Sequence, residues 1–155
     1  MSIRHLVPIF AAVSLSLVAG GARAALTPWD QEKVTGIARQ LEKAARDLYD
    51  TFYKQPVPTA GSGQTRAYQR LKQKIRGIRT QAKQLAGDLG KGEGQEATLP
   101  GYEDLMQLVR SARDDARKVF TTKSVEDKAA VARDQLNQLG PYYDPNYEPL
   151  KPVTR

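Results

Sequence analysis

Four stretches of the chain place apolar residues three and four positions apart. In the first, Val34, Ile37, Leu41, Ala44, Leu48 and Phe52 form one stripe, the mark of an amphipathic helix that buries a single face. The spacing predicts a helix over 28–54. Thr27 is its expected N-cap, with Pro28 suited to the first helical position and Asp30 placed to reach back. Pro56, Pro58 and the Gly61-Ser62-Gly63 run end it. In the second stretch Tyr68, Leu71, Ile75, Ile78, Ala82, Leu85 and Leu89 alternate the two spacings without a miss. A helix over 64–89 follows, suited to packing along near-parallel neighbours.

Gly90-Lys91-Gly92-Glu93-Gly94 reads as a link. A third helix is expected over 101–120, with Leu105, Leu108, Ala112, Ala116 and Val119 inward. The fourth, over 125–139, is capped by Ser124 with Asp127 and turns Val125, Ala129, Ala132, Leu136 and Leu139 inward; Gly140-Pro141 stops it. Residues 141–155 hold four prolines and three tyrosines and should lie extended. No stretch after residue 24 alternates with period two, so no strand is expected. The fold class is all-α, an antiparallel up-down four-helix bundle over 25–140. Its runner-up is a three-helix bundle with a loosely packed fourth helix, because the fourth is the shortest and richest in alanine.

The first 24 residues have a different character. Arg4 precedes an apolar run over 6–19, and small residues lead to Ala22-Arg23-Ala24. This order describes a secretory signal peptide cleaved after Ala24. The apolar run holds about 14 residues and includes Pro8, short of the roughly 20 that a spanning helix needs. No cysteine follows for lipid attachment, and no twin arginine is present. The expected location is periplasmic or secreted, with any membrane contact peripheral.

Composition then removes whole classes of chemistry. The 155 residues include no cysteine and one histidine, His5, which lies in the expected signal. Disulfides, thiolate zinc sites and thiol nucleophiles are excluded, and so, in the processed chain, is imidazole chemistry. The expected helix number and export signal resemble those of periplasmic four-helix cytochromes. Their c-type members attach haem through Cys-x-x-Cys-His, and their b-type member binds it through Met and His. Met106 stands here without either partner, beside core Leu105, and reads as packing.

Glu103/Asp104, Asp114/Asp115 and Glu126/Asp127 are adjacent pairs, which diverge by about 100° on a helix rather than converging. Most acids instead fall at helical pairing distance from a base. Glu42–Arg46, Lys43–Asp47, Arg46–Asp50, Asp50–Lys54, Arg110–Asp114 and Asp114–Lys118 are i,i+4 pairs, each contributing about 0.2–0.5 kcal/mol. The Gly90-x-Gly92-x-Gly94 spacing follows a helix rather than a strand and makes no dinucleotide loop. No catalytic residue, metal ligand or cofactor site is assigned. Leu26-Thr27-Pro28-Trp29-Asp30-Gln31 resembles the Leu-Thr-x-x-Gln motif of periplasmic stress chaperones of the Spy and CpxP type. Gln31 falls one residue late and no second copy follows, so no family is assigned.

Charge is the most telling feature. The formal net charge is +7. The first helix balances its charges, as does 100–140. The second carries Arg66, Arg70, Lys72, Lys74, Arg76, Arg79 and Lys83 against Asp88 alone. Lys72, Arg76, Arg79 and Lys83 form a row beside the apolar stripe, Arg70 and Lys74 lie on its other flank, and Arg66 points outward. The rows either pair with acids of neighbouring helices, such as Asp47 or Asp115, or attract an anionic envelope surface or protein partner. Nucleic acid is not expected, since no reading motif accompanies the charge.

Tyr142, Tyr143 and Tyr147 either pack along the bundle or offer a partner an aromatic foothold. Trp29 should seal one end of the core. The expected function is non-enzymatic binding through the second helix. The alternatives are a chaperone-like factor that shields unfolded clients in an apolar concavity, and a purely structural subunit of an envelope complex. Mass spectrometry of the exported protein should give an N-terminus at Ala25; an intact leader in the exported product would refute the cleavage assignment.

Overall fold

The computed structural model describes residues 25–57 and 62–153; the expected signal peptide lies outside them. The described residues form four α-helices, α1 (Gln31–Lys54), α2 (Ser62–Gly90), α3 (Gln95–Ala116) and α4 (Lys123–Leu139), followed by a 3₁₀ turn at Gly140–Tyr142. They contain no strand. One apolar cluster runs through all four helices and the 3₁₀ turn. None of the helices is long and apolar enough to cross a membrane.

α1 packs against both α2 and α4, and α2 packs against α3, but no comparable face joins α3 to α4. Contacts at the helix ends define the pairing. Near the end of α1, Phe52 stacks on Tyr68 near the start of α2, with ring centroids 5.0 Å apart. At the start of α1, the Gln31 amide and the Thr35 hydroxyl donate to the Leu89 carbonyl at 3.0 and 3.2 Å. Gln31 also donates to the Glu93 carbonyl at 3.1 Å. The Leu89 carbonyl at the end of α2, which also accepts from the Gly92 amide, and the turn beyond it are thereby tied to α1. Between α2 and α3 the approach is close at Gly77, where an added Cβ would lie 3.2 Å from a Leu108 methyl.

Several boundaries differ from the sequence expectation. α1 starts at Gln31 because Asp30, rather than Thr27, is the N-cap and accepts from the Lys33 amide at 3.0 Å. Thr27 instead donates its amide to the Pro141 carbonyl at 3.0 Å, tying the entry of α1 to the exit of α4. α3 starts six residues early and carries Pro100 inside it. Proline removes a helical hydrogen bond and crowds the preceding turn, yet this turn is anchored from outside. Gln95 donates its side-chain amide to the Tyr142 carbonyl at 2.7 Å, and the buried Thr98 hydroxyl lies 2.8 Å from that of Tyr143.

α3 also ends early, at Ala116, although Val119 beyond it is still buried. α4 begins at Lys123 with Thr122 as its cap, its hydroxyl accepting from the Val125 amide at 3.4 Å. The expected cap partner Asp127 pairs with Lys123 at 2.7 Å. Ala129, expected inward, is exposed, while Leu108 and Ala116 are half-buried.

The tail is the largest departure. It is not simply extended: the 3₁₀ turn buries Tyr142 and Tyr143. Tyr143 stacks on Tyr102 with centroids 4.3 Å apart and meets Trp29 edge-on at 5.5 Å. Burial raises the pKa of both Tyr102 and Tyr143, with the Thr98 hydrogen bond opposing it at Tyr143. Further on, Asn137 clamps the chain. Its carbonyl accepts from the Tyr147 hydroxyl at 2.8 Å and the Leu150 amide at 2.7 Å, and its amide donates to the Leu150 carbonyl at 3.2 Å. The Arg113 guanidinium donates to the Lys151 carbonyl at 2.8 Å. Residues 150–153 thus bridge from α4 towards α3.

Gly140 is where this turn admits no side chain, because any Cβ there would collide with the Tyr147 ring. Gly140→Ala should destabilise the protein by about 1–3 kcal/mol, the cost of overpacking, as read from urea denaturation. An unchanged midpoint would show that the tail does not contribute to the cooperative fold.

Candidate anion-binding face

The seven expected binding residues all lie on α2, but they separate into distinct environments. Arg70 and Lys74 turn towards α3. There Asp115, only 5% exposed, accepts from Arg70 Nε at 3.1 Å and Lys74 Nζ at 2.6 Å. Lys74 also donates to the Ser111 carbonyl at 3.1 Å. A carboxylate buried that deeply is tolerable only when paired and hydrogen-bonded. Burial alone pushes the Asp115 pKa up, yet the hydrogen bonds from Lys74 and Arg70 outweigh it and hold the carboxyl below its ordinary value. These two cations therefore tie α2 to α3.

On the opposite flank, Lys72, Arg76, Arg79 and Lys83 form no ion pair among the described residues. Lys72 Nζ sits 4.4 Å from the centroid of the Tyr53 ring, and the Arg79 guanidinium 4.1 Å from that of Tyr49. The two tyrosine rings lie 4.0 Å apart on α1. Burial raises the Tyr53 pKa, reinforced by Tyr49 and opposed by the charges of Arg76 and Arg79. A cation over a ring is held in place, by about 0.5–1 kcal/mol where exposed, but keeps its charge. Arg76 and Lys83 are exposed and form no ion pair or ring contact among the described residues. Arg66 lies on the exposed early turns of α2.

Of the acids expected opposite this helix, Asp115 takes that role and Asp47 does not. Asp47 accepts from Lys43 at 2.9 Å and lies 3.9 Å from Lys128 of α4. The Lys43–Asp47 and Glu42–Arg46 pairs form as the spacing indicates; Asp114 instead pairs with Arg117. Tyr49 and Tyr53 were not singled out from the sequence. Their signal was present in outline: they repeat four apart, each one residue beyond an apolar-stripe position.

The tail tyrosines do not form the exposed foothold considered above. Tyr142 and Tyr143 are buried in the end cluster, and Tyr147 is half-buried against Gly140 and Asn137. Among the described residues, no three His, Cys, Asp or Glu side chains gather as metal ligands.

A second feature follows from the lack of an extensive α3–α4 face. An apolar groove of about 300 Å³ lies between these helices, floored by residues of α1 and α2 such as Leu48, Phe52 and Ile75. Val109 and Ala112 of α3, Ala132 and Leu136 of α4, and Leu150 to Val153 of the tail complete its walls. Comparison of the chain with family models, curated proteins and solved structures finds no significant match.

Lys74→Met should cost about 1–3 kcal/mol, the penalty for leaving part of a buried charge unsatisfied. Arg76→Gln on the exposed row should change stability by less than about 0.5 kcal/mol. Because the folded Asp115 pKa is lowered, its contribution is present above the unfolded carboxylate value of about 3.9. It is lost as pH falls through the lower folded value. Urea titrations across the acid range should show this loss in the native protein and its absence in Asp115→Asn.

Proposed function

We propose that the chain is an exported, non-enzymatic antiparallel four-helix bundle that binds the phosphate-bearing surface of an anionic envelope component through the α1–α2 face. The up-down topology is supported by the end contacts of α1 with α2 and by Asp115, late in α3, meeting Arg70 and Lys74, early in α2. One observation carries the function. Lys72, Arg76, Arg79 and Lys83 share one flank of α2, and the neighbours that fix two of them are tyrosines rather than acids. Internal pairing would cancel the attraction for a partner. Support by aromatic rings leaves it intact.

Such a row draws in anions over a distance of about 8–10 Å at moderate salt. Each cation near an anionic membrane surface contributes about 1 kcal/mol, so the row suffices for reversible, peripheral attachment. The groove supports the client-shielding alternative less well: 300 Å³ lies at the small end of ligand-sized pockets.

The purified mature protein should bind phosphatidylglycerol vesicles and not phosphatidylcholine vesicles, with binding lost at high salt. Joint Arg76→Gln and Lys83→Gln substitution should weaken binding by about 2 kcal/mol, roughly thirtyfold, without altering the circular dichroism spectrum. Equal, salt-insensitive binding to both vesicle types would overturn the electrostatic mechanism.

A further inference from the structure

We infer that the groove between α3 and α4 is a binding site for a medium-chain alkyl carboxylate, with the chain lying in the groove and the head at its basic rim. Its floor consists of Leu48 and Phe52 from α1 and Ile75 from α2. The upper walls carry alanines, Ala112 and Ala132 among them, where larger side chains would have filled the space. A ligand portion that enters such a lining has to lack hydrogen-bonding groups, because a polar group there would lose its water without replacement. Apolar cavities of about 150 Å³ stay dry and take one benzene ring. A groove of about 300 Å³ therefore suits a chain of roughly eight to twelve carbons.

The rim supplies the preference for the head. Arg113, Arg133 and Lys151 lie along the groove; Arg133 is already paired with Asp134 at 2.8 Å, so Arg113 and Lys151 supply the preference. Arg113 donates to the Lys151 backbone carbonyl, leaving the Lys151 ammonium outside that bond. The rim's carboxylates are already engaged, Asp127 by Lys123 and Glu126 by the Thr121 hydroxyl. The strap over 150–153 adds a covering element, fixed at Leu150 by Asn137 and at Lys151 by Arg113. This site is separate from the cationic face of α2, and neither reading depends on the other.

Isothermal titration of the full mature chain with decanoate, decanol and decyltrimethylammonium, all below micelle formation, tests the inference. Decanoate should bind saturably at one site and raise the melting temperature. Decanol should bind about tenfold more weakly, because it lacks the charge-assisted contact, and the cationic amphiphile more weakly still. Ala132→Phe should fill the groove and abolish decanoate binding while helical circular dichroism is retained. Lys151→Gln, which leaves the groove open and the Arg113 bond to the strap backbone intact, should reduce decanoate affinity about tenfold and leave decanol unchanged. Absence of saturable decanoate binding to the native protein would overturn the site. Affinity for the cationic amphiphile equal to that for decanoate, or undiminished decanoate binding by a folded Ala132→Phe, would do the same.

Discussion

The burial of α1 between two other helices is the constraint from which the remaining features follow. Its buried set is wider than one stripe, adding Thr35, Ala38 and Ala45 to the regular apolar positions. Alanine at these positions reduces the side-chain bulk between helices, and the surface gained on both sides offsets the conformational entropy of ordering the chain. α3 and α4 then attach to different partners, one to α2 and the other to α1. With no substantial face between them, an apolar seam remains, and the tail spans part of it.

The two flanks of α2 show how identical residue types acquire different roles. Arg70 and Lys74 face a buried carboxylate, where desolvation opposes hydrogen bonding and charge attraction and is outweighed by them. That arrangement fixes position more than it adds stability. Lys72 and Arg79 rest on half-buried tyrosines, an interaction that orients the cation without neutralising it. The charge is therefore handled unequally: partly neutralised towards α3, where two cations share one carboxylate, and held over rings along the α1–α2 boundary.

At the other end of the molecule, polar side chains complete what regular structure leaves open. Gln31 and Thr35 satisfy the end of α2, Gln95 accommodates the chain reversal after α4, and Asn137 pairs with the backbone of Leu150. These contacts join segments distant in sequence around Trp29, Tyr102 and Tyr143. The proline-bearing start of α3 belongs to the same assembly. Its local cost is met by contacts that no window of neighbouring residues contains.

Periodicity alone indicated that the chain is helical and placed four helices, as seen among the described residues, and most of the residues it turned inward are buried, because burial of one face imposes a three-and-four spacing on the sequence itself. Charge counting likewise located the cationic helix and offered Asp47 and Asp115 as partners, of which only Asp115 meets it. Tertiary structure decided which cations are cancelled, since that depends on whether an acid or a tyrosine lies across the helix boundary. It also decided the early start of α3, the burial of the tail tyrosines and the open α3–α4 seam. Each of these arises from contacts between residues far apart along the chain, and local spacing carries no record of such distances.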